Sequence, residues 1–264
     1  EKFHAKISAG MAAATGAKAR FAAWARTIGA QVSALRSEGR EPTGALALQY
    51  RVARRLVFRP LKEAIGLDQA ETLVSGAAPI SREVIEFLAS LDLIVQEIYG
   101  QSEDTGPTSF NQRGRTRFGT VGPALPGVEV RIADDGEILV KGKNVFLGYY
   151  KDQDATNECL VDGWLHSGDL GAFDRDGFLS ITGRKKDIII TAGGKNITPK
   201  NIELAIKEHP IVDEVVVIGD RQKFLTALIT LEPEATKKLC DEKGIRGPAH
   251  ESSEIDALIR AHVE

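Results

Sequence analysis

Cysteine is scarce in this chain of 264 residues: Cys159 and Cys240 are the only two. Two isolated thiols form neither a disulfide framework nor a thiolate metal site, so a reducing, cytoplasmic compartment is expected. The five histidines, at 4, 166, 209, 250 and 262, show no metal-ligand spacing, and no structural zinc is expected. Apolar runs are too short to span a bilayer. The Ala-rich stretch from Met11 to Ala30 has Lys and Arg through its middle and no apolar centre, so it reads as a helix and not as a targeting peptide. A formal charge of -3 gives no reason to expect a nucleic-acid partner.

Charge is abundant but unevenly placed. Residues 1–65 carry twelve Lys and Arg against Glu1, Glu38, Glu41 and Glu63, a local excess of eight positive charges. Such a basic, helical end suits an anionic membrane surface, although a solvated face balanced by acidic neighbours is the favoured reading of the charge alone.

The apolar spacing of Phe21, Trp24, Ile28, Val32 and Leu35 predicts a helix whose stripe is core. A second helix is predicted from Leu46 to Ile65, broken at Pro60. Further on the pattern changes to strand (Thr72–Ser75), helix (Ser81, as cap, to Leu88) and strand (Leu93–Ile98), the alternation of an α/β layer. Val128–Ile132, an Asp-Asp-Gly turn and Glu137–Val140 read as a hairpin, as do the residues around Asp174-Arg-Asp-Gly177 and Phe178–Ile181. A new unit begins after Gly183. It has strands at Asp187–Ile190, Glu214–Ile218 and Leu225–Leu231, a helix opened by Pro199, another from Pro233, and a terminal one from Ser253.

Five short motifs stand in order along this framework: Ser75-Gly-Ala-Ala-Pro79; Tyr99-Gly-Gln-Ser-Glu103; Gly136-Glu-Ile-Leu-Val-Lys-Gly142 with Gly148-Tyr-Tyr150; Trp164-Leu-His-Ser-Gly-Asp-Leu170; and Gly183-Arg-Lys-Lys-Asp187 with Gly193-Gly194. Each alone is weak. Together they resemble the adenylate-forming superfamily of acyl-CoA synthetases, luciferases and peptide-synthetase adenylation domains, over essentially all of the chain from Thr72. The basic helical segment leading into Leu56-Val-Phe-Arg-Pro-Leu-Lys62, with Gln101–Pro107 and Gly219–Phe224, resembles the long-chain fatty acyl-CoA synthetases and, among them, the bubblegum type.

The resemblance implies an α/β fold in two parts. Residues 1–183 would be the later part of an incomplete large domain: helical to 65, α/β over 66–120 and β-rich over 121–183. Residues 184–264 would be a small, mobile α+β domain, truncated. It implies attack of a fatty carboxylate on the α-phosphate of ATP, and then transfer of the acyl group to coenzyme A. Both steps bring anions together, so alignment and charge neutralisation dominate.

Glu103 would hold Mg²⁺ against the phosphates, as hard cations take oxygen ligands, and Ser102 would donate to the α-phosphate. Tyr99 would lie against adenine, beside the backbone of Gly76, Ala77, Ala78, Pro79 and Gly100. Asp169 would accept the ribose hydroxyls and Arg184 would reach ribose and phosphate. Lys186 would be the hinge of domain rotation, and Gly193 and Gly194 would line the coenzyme A channel, although a plain turn accounts for these two glycines as well.

The chain contains neither the phosphate loop ending in Pro-Lys-Gly nor the late catalytic lysine of such enzymes. A partial chain, poor in the first half-reaction, is therefore expected. The resemblance also admits a homodimer. Rival readings are a fatty acyl-AMP ligase or adenylation domain serving a carrier protein, and a non-catalytic nucleotide-binding fragment. The absence of an insertion between Asp169 and Arg184 favours coenzyme A over the first of these.

Overall fold

The computed structural model describes residues 15–78 and 80–263, together with residues 4, 7, 8, 10 and 11. The chain divides into two compact units, Glu1–Ile181 and Thr182–Glu264.

The first unit opens with helix α1 (Gly16–Ser37), which buries Ala25, Ile28 and Val32. This is the predicted stripe, although Phe21 at its start stays 37% exposed. The stripe packs on Tyr50, Ala53 and Phe58 of the next helical stretch. That stretch corrects an expectation. Pro60 does not break it: α2 (Gly44–Ala53) runs through a π-turn (Arg54–Phe58) into α3 (Arg59–Ala64). Proline clashes with the carbonyl four residues earlier in a regular α-helix. The wider turn just before it places Pro60 in the first turn of α3, where its missing N–H costs least.

Part of the basic excess is neutralised locally. Asp92, at the end of the next helix, accepts from Arg36 at 3.2 Å, Lys62 at 2.7 Å and the Tyr50 hydroxyl at 2.9 Å. This knot ties α1, α2 and α3 to the α/β layer. Among the described residues no helix is long and apolar enough to cross a membrane.

The α/β layer consists of β1 (Leu73–Ser75), α4 (Arg82–Ser90) and β2 (Val95–Tyr99), with the short β3 (Ser109–Phe110) antiparallel to β2. Ser81 caps α4 by accepting the Val84 amide, as its sequence position predicted. β1 and β2 are parallel, with Ser75 level with Glu97. The glycine-led loops after both strands therefore leave the sheet side by side.

A separate five-stranded sheet follows. β4 (Val128–Ile132) and β5 (Glu137–Gly142) form the predicted hairpin, with Val130 opposite Val140. β5 pairs with the long β7 (Trp164–Phe173), which pairs with β6 (Leu160–Val161) and β8 (Leu179–Arg184). Helix α5 (Gln153–Cys159) precedes β6. Ile138, Val140, Leu165 and Leu179 form the core of this layer, and the Tyr99 ring joins it from β2.

In the second unit, β11 (Val212–Ile218) and β12 (Thr226–Leu231) are antiparallel. Helix α6 (Pro199–Ile206) packs Ile206 against Val215 and Val217. α7 (Pro233–Lys243) and α8 (Ser253–Val263) follow. The expected strand Asp187–Ile190 is shorter than predicted. Lys185–Asp187 is a 3₁₀ turn, and only Ile189–Ile190 (β9) is extended, paired with Asn196–Ile197 (β10). A run of three isoleucines is a good strand former, but the preceding charges are solvated and only Ile189 is buried.

Candidate active site

In an open α/β layer, ligands gather where parallel strands end. β1 ends at Ser75 and its loop, Gly76-Ala77-Ala78, is exposed; Pro79 lies outside the described residues. β2 ends at Tyr99, where the chain reverses at once. Gly100 has no room for a side chain, because a Cβ there would sit 1.5 Å from the carbonyl oxygen of Gly106. The reversal is locked by a reciprocal cap. Asp104, 1% exposed, accepts the Gln101 amide at 2.7 Å and the Thr108 hydroxyl. The result is a single 3₁₀ turn, Ser102–Asp104, with Asp104 inward, Glu103 half-buried and Ser102 exposed.

Opposite this turn stands Asp169. On β5 one residue lies between Glu137 and Leu139, but on β7 three lie between their partners, Leu170 and His166. β7 therefore bulges over Ser167–Asp169, and bulges re-aim side chains beside functional sites. The bulge is held from below by Glu137, which is 5% exposed and accepts the Gly168 amide at 2.9 Å. Its other carboxylate oxygen lies 3.0 Å from His166 Nδ1.

Asp169 then meets the first layer directly. Its Oδ2 accepts the Tyr99 hydroxyl at 2.9 Å and the Gln101 side-chain amide at 2.6 Å. Gln101 Nε2 also donates to the Ser167 carbonyl at 2.9 Å. Burial, and secondarily the Asp169 charge, pushes the Tyr99 phenol above its ordinary pKa, so it stays a donor. Tyr99 is thus 9% exposed with its ring in the core. The sequence marked Tyr99 and Asp169 separately; it did not mark Gln101 as the clasp between them.

Glu103 has a partner that the sequence reading missed. Its Oε1 accepts the Tyr149 hydroxyl at 2.7 Å, and this hydrogen bond is the main reason that the Tyr149 pKa is pushed up to about 12. Glu103 Oε2 accepts nothing among the described residues. A carboxylate oxygen of this kind, beside an exposed serine hydroxyl, fits the usual Mg²⁺–phosphate arrangement of one or two carboxylates completed by phosphate oxygens and water.

Tyr99, Gly100, Ser102, Glu103 and Asp169 therefore stand together in the first unit. Arg184, Lys186, Gly193 and Gly194 belong to the second. There Arg184 and Lys186 are exposed at and just after the end of β8. Gly193 and Gly194 occupy a tight turn in which the Gly194 amide donates to the Thr191 carbonyl at 2.8 Å. A cavity of about 700 Å³ opens elsewhere, lined by Arg36, Lys62, Leu73 and Asp92. It lies by the starts of β1 and β2, away from the loops that carry the candidate site.

Known sequences match the stretch that carries the two parallel strand ends and the acidic 3₁₀ turn. The AMP-binding enzyme profile matches residues 18–150 and the AMP-binding enzyme C-terminal domain profile matches residues 186–252. The chain belongs to the AMP-binding enzyme family.

Among curated AMP-binding relatives, the long-chain-fatty-acid--CoA ligase FadD15 of Mycobacterium bovis is 47% identical over 190 residues, covering 72% of this chain and 32% of that protein. The long-chain-fatty-acid--CoA ligase ACSBG2 of Xenopus laevis is 41% identical over 239 residues, covering 88% and 32%. The chain thus spans about a third of the length of these relatives. Among solved structures, o-succinylbenzoate coenzyme A synthetase (MenE) of Bacillus subtilis, in complex with ATP and magnesium ion, is similar at 27% identity. It has a TM-score of 0.55 and covers 70% of this chain and 43% of that one.

One buried acid of the AMP-binding layer has a measurable consequence. Glu97, on β2, is 9% exposed, and among the described residues its carboxylate accepts the Gly119 amide, at 3.0 Å. Burial raises its pKa to about 7. The folded state thus holds the proton over a range in which the unfolded chain releases it. The associated stability is complete below the unfolded value and is lost as pH rises through about 7, amounting to at most about 3 kcal/mol. Thermal melts between pH 5 and pH 8 should show wild type losing stability relative to Glu97→Gln as pH rises. Parallel profiles would contradict this assignment.

Proposed function

We propose that the protein activates a long-chain fatty acid with ATP and passes the acyl group to coenzyme A. The observation that carries this reading is the link across the two layers: Gln101, which caps the turn that bears Glu103, donates to Asp169 on its bulge at 2.6 Å. One acid serves a metal–phosphate group and the other the ribose hydroxyls. The fatty-acid ligase names of the relatives support the choice of substrate.

In this reading Mg²⁺, when bound, neutralises phosphate charge as the carboxylate approaches. Glu103 holds it, and Ser102 donates its hydroxyl to the α-phosphate. Asp169 accepts the ribose hydroxyls. Tyr99 and Gly100, with Gly76, Ala77, Ala78 and Pro79, border the base. Arg184 adds a positive charge for ribose and phosphate, Lys186 serves as the hinge, and Gly193 and Gly194 line the path of the thiol. Coenzyme A is favoured over a carrier protein by the short connection between β7 and β8. It is closed by the Asp174 amide donating to the Phe178 carbonyl at 3.0 Å, with no inserted segment.

The same reading includes a cytoplasmic location with contact at an anionic membrane surface through the basic helical segment. Exposed Leu48 and Leu56 on α2 and the π-turn, beside exposed Arg51, Arg54 and Arg55, support that contact.

Two measurements test these proposals. In the full-length protein, fatty-acid-dependent AMP release should fall about a hundredfold or more in Glu103→Gln; retention within a few-fold would remove Glu103 from the metal site. In liposome pelleting, binding should rise with anionic lipid and fall with salt. Equal partition into neutral vesicles would refute the electrostatic contact.

A further inference from the structure

A metal-binding carboxylate on a surface turn has three side-chain torsions to fix. Mg²⁺ tolerates little error in ligand direction, because it demands near-octahedral geometry. Something must hold Glu103 still. The turn itself fixes the backbone but leaves the side chain free to swing.

We propose that Tyr149 is the positioning residue for the metal site: its hydroxyl, donated to Oε1 of Glu103 at 2.7 Å, fixes the carboxylate so that Oε2 faces the metal. This rests on the reading of Glu103 as the Mg²⁺ ligand.

The segment carrying Tyr149 is built for the task. It grips the Ser102–Asp104 turn before Tyr149 is reached. The Phe146 amide donates to the Glu103 carbonyl at 2.8 Å. The Thr105 hydroxyl donates to the Asn144 carbonyl at 2.7 Å, and the Asn144 side-chain amide donates to the Asp104 carbonyl at 3.2 Å.

Tyr149 is then fixed at its own backbone. Gly148 has φ +140°, and a Cβ there would press on Thr156, 2.6 Å from its methyl carbon. That close approach lets the Tyr149 amide donate to Thr156 Oγ1 at 2.9 Å. Thr156 in turn donates to the Asp152 carbonyl at 2.7 Å, at the capped start of α5. The Tyr149 ring meets Phe146 edge-on, with centroids 5.0 Å apart. The phenol is therefore held at its amide, its ring and its hydroxyl.

The neighbouring Tyr150 supplies the contrast. It is 88% exposed and has only the Lys151 ammonium over its ring. Of the two tyrosines in Gly148-Tyr-Tyr150, one is committed to Glu103 and the other is in solvent.

Hydrogen-bond partners of metal ligands typically account for a factor of about 10–100 in metal affinity. The test is Mn²⁺ binding, read by electron paramagnetic resonance in the presence of a non-hydrolysable ATP analogue. Wild type, Tyr149→Phe, Tyr150→Phe and Glu103→Gln forms of the full-length protein would be compared. Tyr149→Phe keeps the ring and its packing on Phe146, so melting temperature should change little.

The expected result is Mn²⁺ affinity weakened about 10–100-fold in Tyr149→Phe, unchanged in Tyr150→Phe and lost in Glu103→Gln, with metal-free nucleotide affinity constant. Wild-type or tighter Mn²⁺ binding in Tyr149→Phe, with loss in Glu103→Gln, would overturn the positioning role and leave Glu103 as ligand. Wild-type binding in Glu103→Gln would overturn both.

Discussion

One carboxylate joins the two layers of the first unit. Asp169 Oδ2 takes a phenolic hydrogen bond from Tyr99, at the end of a parallel strand, and an amide hydrogen bond from Gln101, at the start of the following turn. Tyr99 brings its ring into the core of the β-rich layer, so the clasp is backed by apolar packing against Ile138, Val140 and Leu165. Hydrogen bonds to a charged group are stronger than neutral ones, and more so where water is excluded. The clasp acts together with the hydrogen bonds that Asn144 and Phe146 make with the acidic turn, so the turn and the β-rich layer are held at several points.

The acids of the site divide by task. Asp104 and Glu137 are almost wholly buried and spend their oxygens on backbone amides and nearby side chains, shaping the turn and the bulge. Glu103 and Asp169 are only half-buried, each with a hydroxyl on one oxygen. Buried acids build the loops and half-buried acids face what the loops enclose. This arrangement gathers anionic side chains without stacking uncompensated charge, since each carboxylate already has a donor.

The short motifs made much of this legible in advance. Gly100 and Glu103 were marked by the resemblance that Tyr99-Gly-Gln-Ser-Glu103 carries, and the hairpin at Val128–Val140 by alternation around Asp-Asp-Gly. Contacts between distant segments were not legible. Tyr149 lies 46 residues from Glu103 in sequence, and its twin Tyr150 looks identical on paper. The glycine torsion at 148 and the Thr156 contact set the backbone from which Tyr149, and not Tyr150, reaches Glu103. Gln101 was read as one letter of a motif, and its reach to Asp169 depends on the bulge in β7, an insertion in register that alternation cannot show. Pro60 misled for a local reason: a proline stops a regular helix, but a wider turn placed before it absorbs the clash.

The central claim is that Asp169 is presented to nucleotide by its clasp with Gln101, and a double-mutant cycle on AMP affinity tests it most directly. Affinities of Gln101→Ala, Asp169→Ala and the double variant would be measured by calorimetry in the full-length protein. The account predicts strong non-additivity, with the double variant no worse than Asp169→Ala and a coupling of about 1 kcal/mol or more. Additive losses would mean that the two side chains act independently and that the clasp does not present the aspartate.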